Sequence, residues 1–173
     1  ANDELAKLKG EQEAAKLGVI IVKPSMIFGK AAGGMVGSLN KLVSMSNVLP
    51  ILAFSRQKLH MCHVDDLAAL VFKIISKDLN PAKPIFAASD RVYNLKEILE
   101  TLAKARGKRV FFIPVPYVLM FLCLRFTELL GLKIGVGSDS LLGLVNRNQN
   151  VDFTETKRLN VNFRKFDANT ANE

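Results

Sequence analysis

Four consecutive β-branched residues, Val19–Val22, follow Gly18 and shortly precede Pro24. The run is too short for a helix and has no apolar–polar alternation, so we predict a strand that is buried on both faces. Pro24 ends this strand because proline has no N–H to donate to a ladder. Such strands occur in parallel sheets of the α/β class, which bind ligands at their carboxyl ends. The glycine-rich segment 29–37 is expected to open at that end.

Composition excludes several classes of protein. The chain has 173 residues, 49% of them hydrophobic and eleven of them Phe, which indicates a globular protein and not a disordered one. The longest apolar run, Val115–Leu124, is too short to span a bilayer, and we find no secretory signal. Cys62 and Cys123 lie in apolar contexts without CxxC spacing. We therefore expect two buried free thiols in a reducing compartment, the cytoplasm.

The formal net charge of +8 favours anionic partners. The basic residues are scattered, with no run of five or more and no interleaved aromatic residues. We therefore expect a phosphorylated small molecule as the partner and no nucleic acid. Peripheral association with an anionic membrane or with RNA is a weaker alternative, which salt-dependent co-sedimentation would test.

Helices and short strands alternate along the rest of the sequence. Helices are predicted at 3–17 with Gly18 as the stop, at 38–45, at 66–76 with Asp65 as the N-cap, from Asn94 to a stop at Gly107, at 116–130, from Ser138 or Asp139 to 145, and at 154–159. Strands are predicted at 59–64, 85–88, 110–115 and 151–153, with a turn at 47–50.

Several candidate motifs have ordinary explanations. His60 and His63 have HxxH spacing, but no acidic or cysteine residue stands at a ligand spacing from them, and strand alternation puts them on opposite faces, so we expect no metal site. Segment 29–37 matches neither the P-loop nor GxGxxG, and it is either a backbone contact to an anion or a flexible connection. The stripe formed by Val118, Leu119, Phe121, Leu122, Phe126 and Leu129 is interpreted as core.

Three polar residues are candidates for binding a ligand. Ser25 lies at the end of the buried strand, where its hydroxyl either touches a ligand or is satisfied within the loop. Arg56 and Lys58 either pair with a phosphate or are solvated surface cations. The residues themselves leave both alternatives open.

Two motifs in this order are typical of one family. Lys23–Gly29 (KPSMIFG) matches the pattern Arg-Pro-x-x-Val-Tyr-Gly, and His63–Ala68 (HVDDLA) matches His/Tyr-Val-Asp-Asp-Leu-Ala. Ile85–Pro116, and Asp152–Leu159 with Phe163 after it, follow the later part of the same pattern. The chain therefore resembles, over residues 4–166, the carboxyl-terminal part of an extended short-chain dehydrogenase/reductase of the NAD-dependent epimerase/dehydratase family, which acts on nucleotide sugars.

The resemblance implies an α/β fold, the tail of a doubly wound Rossmann-type parallel sheet plus a small, mostly helical substrate-binding lobe. Residues 1–30 would be the last helix and strand of the dinucleotide-binding domain, 31–166 the lobe, and 167–173 a frayed tail. The resemblance also implies NAD or NADP as cofactor, a nucleotide-diphosphate sugar as substrate, and a homodimer formed through helix 3–17.

The resemblance implies site residues as well. The family's Tyr-x-x-x-Lys aligns with LAKLKGE, which gives Lys9 the role of catalyst and contact to the cofactor ribose. Leu5 then occupies the Tyr position and cannot transfer a proton. Pro24, Ser25 and Met26 would lie near the nicotinamide and the sugar, and Arg56 and Lys58 near the diphosphate.

Two functions follow from this pattern. The first is the carboxyl-terminal portion of an NAD(P)-dependent nucleotide-sugar epimerase/dehydratase. The alternative is a non-catalytic binding or assembly module of the same family that lacks the catalytic Tyr. The dinucleotide fingerprint is not in this sequence, so we expect the chain alone to have no measurable NAD affinity.

Overall fold

The computed structural model describes residues 9–10, 13–14, 16–29, 33–52, 58–77, 83–129 and 151–172. Six strands are present there: β1 (Val22–Pro24), β2 (Met26–Phe28), β3 (Val48–Leu52), β4 (Met61–His63), β5 (Ile85–Ala87) and β6 (Phe111–Val115). The helices are α1 (Gly34–Met45), α2 (Val64–Ser76), α3 (Leu95–Ala105), α4 (Tyr117–Leu129) and α5 (Thr154–Arg158), followed by a 3-10 turn at Thr170–Asn172.

The six strands form three parallel pairs, β1 with β5, β2 with β4, and β3 with β6. Parallel pairing requires a long crossover connection, and helices supply it here. The predicted α/β class is therefore confirmed.

The first predicted strand lies further along the chain than expected. β1 occupies Val22–Pro24, with Val22 opposite Ile85 and Pro24 opposite Ala87. Pro24 ends β1 as predicted. Val19 and Ile20 are 52% and 38% exposed, so the expectation that Val19–Val22 is a strand buried on both faces is wrong for this chain. A strand is buried on both faces only where further elements cover it, and in the described part of the chain β5 is the ladder partner of β1.

Strand β2 was not predicted, because a loop was expected directly after Pro24. Ser25 is the point at which the chain changes partners. Its N–H donates to the carbonyl of Ala87, the last residue of β5, and the next N–H, that of Met26, donates to the carbonyl of His60. The ladder therefore resumes on a different strand.

The glycine-rich segment is partly helical. Helix α1 begins at Gly34 and not at 38, so the second half of segment 29–37 belongs to its first turn. The turn predicted at 47–50 is also wrong, because Val48–Leu52 is a strand that pairs with β6 over its whole length. Residues 30–32 lie outside the described part.

One predicted helix cap is present in the structure, and another is replaced by a different residue. Asn94 and Glu97 form a complete capping box on α3, as predicted, and Gly107 follows the helix at φ +65°. For α2 the predicted cap, Asp65, is wrong. The ring of His63 caps this helix by accepting the N–H of Asp65 at 3.2 Å.

The carboxyl-terminal region differs from the prediction in two places. Residues 151–153 form no strand, although the helix after them is present. Residues 167–172 form a turn and not the expected frayed tail, because the Asp167 carboxylate accepts the N–H groups of Asn169 and Thr170. The helices predicted at 138–145 and over most of 3–17 lie outside the described residues, although residues 9, 10, 13, 14 and 16 are helical.

Two apolar clusters make up the core of the described part of the chain. One joins β2 and β3 to α1 and α3, and there the hydroxyl of Tyr93 accepts the N–H of Phe166 at 2.9 Å. The other joins α2 to β5 and the residues around α5. The interpretation of the α4 stripe as core is wrong for Val118, Leu119 and Leu122, which are 67%, 54% and 58% exposed; the side chains of Phe126 and Leu129 lie outside the description.

The two cysteines differ from one another. Cys62 is buried as expected, but Cys123 on α4 is exposed, so the prediction of two buried thiols is wrong for Cys123. No helix in the described ranges is long and apolar enough to cross a bilayer.

Candidate functional site

The two sequence motifs that resemble the epimerase/dehydratase family lie against one another. Phe28, near the end of the first motif, and His63, the first residue of the second, are opposite each other on β2 and β4. Their rings lie edge to face with centroids 5.0 Å apart. Both side chains are fully buried. Because the strands are parallel, the two motifs leave the sheet at the same edge.

Gly29 follows β2 at this edge, and its position requires glycine for two reasons. Its φ is +134°, a conformation that L side chains rarely adopt. A Cβ there would lie 2.7 Å from Cγ1 of Val64 and 3.5 Å from Nε2 of His63. The glycine of the first motif thus permits close packing onto the start of α2.

The two histidines have separate structural roles. The Nδ1 of His63 caps α2, and its Nε2 is buried without a hydrogen-bond partner within the described residues. The Nδ1 of His60 lies 3.1 Å from the carbonyl of Ser89, and its ring packs against Phe86 and Phe153. Among the residues that the structure describes, no group of three His, Cys, Asp or Glu side chains has metal-site geometry.

Ser25 is buried at the junction of β1 and β2, and its hydroxyl donates to the carbonyl of His60 at 2.7 Å. This bond ties the junction to the residue before β4. Met26 beside it is also buried, whereas Pro24 is exposed. These three consecutive residues lie at the junction of β1 and β2, and their contact with a ligand stays a prediction.

A cleft of about 220 Å³ opens at the carboxyl end of β5. It is lined by residues after β5, by α5 and by the segment that follows it, among them Ser89, Asp90, Lys157, Asn160 and Asn162. Whole small-molecule sites usually enclose about 300–1,000 Å³, so this cleft suits only part of a ligand. Sequence reasoning missed it because its two walls are far apart in the chain.

One ion pair joins the start of α2 to the carboxyl-terminal segment. The buried carboxylate of Asp66 accepts the backbone N–H of Arg164 at 2.7 Å and its Nε at 2.9 Å. Asp65, which is exposed, lies 3.4 Å from the same guanidinium. The acidic pair of the second motif therefore anchors the carboxyl-terminal segment, and sequence reasoning missed the partner, Arg164.

The other predicted site residues are exposed or lie outside the description. Lys9 is helical and exposed, and Lys58 is exposed just before Leu59, which bridges Tyr93. Leu5 and Arg56 lie outside the described residues. The proposed roles of Lys9, Lys58 and Arg56 stay predictions.

Two solved structures that match this chain are named as sugar-nucleotide enzymes. The GDP-mannoheptose C4 reductase from Campylobacter jejuni with NADP bound matches 88% of the chain with a TM-score of 0.61 and 11% identity, and the match covers 47% of the reductase. The UDP-glucose 4-epimerase from Thermotoga maritima with UDP-glucose matches 95% with a TM-score of 0.57 and 13% identity, over 48% of the epimerase. This chain has the fold of the sugar epimerases and reductases.

The epimerase/reductase fold extends over nearly the whole chain. The crystal structure of gox2253 matches 99% of it with a TM-score of 0.66 and 15% identity, over 54% of the gox2253 chain. The chain thus spans about half the length of the solved structures that it matches. No protein-family model and no curated relative matches the sequence. The resemblance read from the two motifs is confirmed at the level of the fold.

Proposed function

We propose that this chain is the carboxyl-terminal half of an NAD(P)-dependent nucleotide-sugar oxidoreductase of the epimerase/dehydratase kind. One observation carries the proposal. The parallel strand β1 pairs with β5, while Val19 and Ile20, which precede it, are exposed in a chain about half as long as its structural neighbours. A dinucleotide-binding half would supply the further strands that cover these residues.

The surface of α2 supports the same proposal. Val71, Phe72 and Ile75 on this helix are 40%, 73% and 74% exposed. They lie within two turns, so that they form an apolar patch on a helix whose other face packs on the core. In a doubly wound fold, helices cover both faces of one larger sheet. We propose that the dinucleotide-binding half packs against this patch.

The proposed cleft lies between the two halves. In it, Ser25 and Met26 face the nicotinamide and the sugar beside Pro24, while Arg56 and Lys58 contact the diphosphate. Lys9 contacts the cofactor ribose. This assignment rests on the family motifs and on the position of Ser25 at the carboxyl edge of β1, where parallel sheets bind ligands.

The cofactor, NAD or NADP, would be held mainly by the other half. The residues of this chain fit only a minor share of it, because the glycine-rich segment enters α1 without a dinucleotide fingerprint. Calorimetry on the chain alone should therefore detect no NAD or NADP binding. Micromolar affinity for either would contradict the proposal.

The decisive experiment joins the two halves. The reading frame upstream should encode a strand followed by GxxGxxG within about 150 residues. The protein that includes this half should bind NADH or NADPH with a fluorescence change, and Lys9→Met should weaken that binding while the matched variant Lys16→Met leaves it unchanged. An upstream sequence without the fingerprint would overturn the proposal.

The second candidate is a non-catalytic binding or assembly module of the same fold, and Leu5 at the Tyr position favours it. The two candidates differ in turnover. A full-length protein that binds NADH yet leaves nucleotide sugars unchanged, and gains turnover with Leu5→Tyr, would decide for the module. We also propose a cytoplasmic homodimer formed through helix 3–17, which sedimentation of the full-length protein would test.

A further inference from the structure

The strand pair β3–β6 has one buried face and one exposed face. In its register Leu49 lies opposite Phe112, and both pack into the core. The flanking pairs point the other way, because side chains alternate along a strand. These outward residues form what we call the apolar sheet face: Val48 opposite Phe111, and Pro50 opposite Ile113.

The apolar sheet face is strongly exposed. Phe111, Ile113 and Val48 are 69%, 53% and 48% exposed. Met45, at the end of α1 just before β3, is 74% exposed. Helix α4 contacts β3, and three of its apolar residues are also exposed, Val118, Leu119 and Leu122. Contiguous apolar patches on a protein surface commonly mark interaction sites.

A basic turn adjoins this face. Lys104, Arg106, Lys108 and Arg109 stand within six residues, immediately before β6. Two of them are held against α1, since Nε of Arg106 donates to Oδ1 of Asn40 and Nζ of Lys108 donates to the carbonyl of Ser44, both at 2.7 Å. Lys108 therefore lies next to Met45 at the border of the apolar sheet face. All four side chains are exposed.

The elements that carry the face contain almost no negative charge. The sequence has no Asp or Glu between Glu13 and Asp65, or between Glu100 and Glu128. These two stretches include α1, β3, the basic turn, β6 and most of α4. The basic residues of these two stretches therefore have no acidic neighbour within the same stretch of sequence.

We propose that the apolar sheet face docks on a lipid bilayer that contains anionic headgroups. Apolar side chains at the centre insert at the headgroup boundary, and the basic turn pairs with the phosphates around them. A second copy of the chain fits less well, because a two-fold contact would bring together two basic turns of four cations each. RNA fits less well because three of the four residues of the face are aliphatic and offer no ring for stacking.

The test is co-sedimentation of the full chain with vesicles of phosphatidylcholine, alone or mixed with phosphatidylserine. We expect binding to the mixed vesicles only. It should weaken from about 0.1 M to about 1 M salt, over which the Debye length falls from about 10 to about 3 Å. Equal binding to both kinds of vesicle would overturn the proposal.

Two variants separate the apolar and the charged contributions. Phe111→Thr with Ile113→Thr leaves β-branched residues at both positions, which suits an exposed strand, and should reduce binding about tenfold or more. Lys104→Gln with Arg109→Gln should reduce it about 30-fold at low salt, at about fivefold for each charge near an anionic surface. Circular dichroism should show unchanged folding for both.

The matched control is Phe72→Gln with Ile75→Gln, which removes equally exposed apolar residues from α2. This variant should bind vesicles like the wild type. Loss of binding in the control, or retention of binding in Phe111→Thr with Ile113→Thr, would contradict the proposal. So would concentration-dependent dimerisation that the Thr variant abolishes, or binding of an RNA oligonucleotide in preference to vesicles.

Discussion

Phe28 and His63 occupy paired positions on the parallel strands β2 and β4, with ring centroids 5.0 Å apart and ring planes at 83°. This contact joins two segments that lie more than thirty residues apart in the sequence. It also places Gly29 against the first turn of α2. The carboxyl ends of β2 and β4 are therefore held together by direct packing of the two motifs.

Substitution of Gly29 tests that packing. Gly29→Ala introduces a Cβ 2.7 Å from Val64 at a φ of +134°, and we expect a loss of about 2–4 kcal/mol in the free energy of unfolding. Gly107→Ala is the control, because its φ is +65° but nothing lies within 4 Å of the added Cβ. It should cost about 1 kcal/mol. Urea denaturation measures both values, and equal losses would mean that the close approach to Val64 contributes nothing.

The two acidic residues of the second motif should differ in importance. Asp66 is buried and accepts two hydrogen bonds from Arg164, so Asp66→Ala should lower the free energy of unfolding by about 2–3 kcal/mol. Asp65 is exposed and 3.4 Å from the guanidinium, and Asp65→Ala should cost about 0–1 kcal/mol. Thermal denaturation of the two variants compares them directly. A larger loss for Asp65→Ala would contradict this assignment.

The two thiols should react very differently with a disulfide reagent. Burial, together with the nearby Asp66 carboxylate, raises the pKa of the Cys62 thiol to about 12, so this thiol stays protonated at neutral pH. Cys123 is exposed. Native protein should therefore release one equivalent of thiolate from Ellman's reagent, and denatured protein two. Cys123→Ser should abolish the native reaction, and a native reaction that survives it would show that Cys62 is accessible.

Tyr93 should cause the free energy of unfolding to fall at alkaline pH. Burial raises the pKa of its phenol above the usual value, although the N–H of Phe166 and the Arg91 guanidinium lower it in part. Because the pKa of Tyr93 is higher in the folded state than in the unfolded state, the protonated phenol stabilises the folded state fully below about pH 10. This contribution to the free energy of unfolding is lost as the pH rises through the folded-state pKa.

Tyr93→Phe should therefore remove this pH dependence. At neutral pH the variant should lose about 1 kcal/mol, because the buried N–H of Phe166 is left without its acceptor. Denaturation midpoints measured from neutral to alkaline pH should fall less steeply than in the wild type. Tyr117→Phe on the exposed start of α4 is the control, and a steep alkaline fall that persists in Tyr93→Phe would identify another group as its source.

Two kinds of feature could be predicted from the sequence alone. The capping box of Asn94 and Glu97 and the stop at Gly107 depend on partners within a few residues, so local sequence is sufficient. The α/β class followed from the short apolar runs alternating with helical patterns, and the two family motifs indicated the epimerase/reductase fold. All these signals are contained in continuous stretches of chain.

The features that the sequence did not predict depend on distant partners. β2 forms because the pairing with β5 ends at Ser25 and the N–H of Met26 then donates to the carbonyl of His60. Asp66 is an anchor because Arg164, 98 residues away, folds back onto it. The α4 stripe looked like core, yet Val118 and Leu122 are exposed, because periodicity reveals an apolar face but not what covers it. Sequence thus determined the local elements and the family pattern, whereas only the tertiary structure decided strand partners, anchoring contacts and burial, since these depend on groups that proximity in the chain does not bring together.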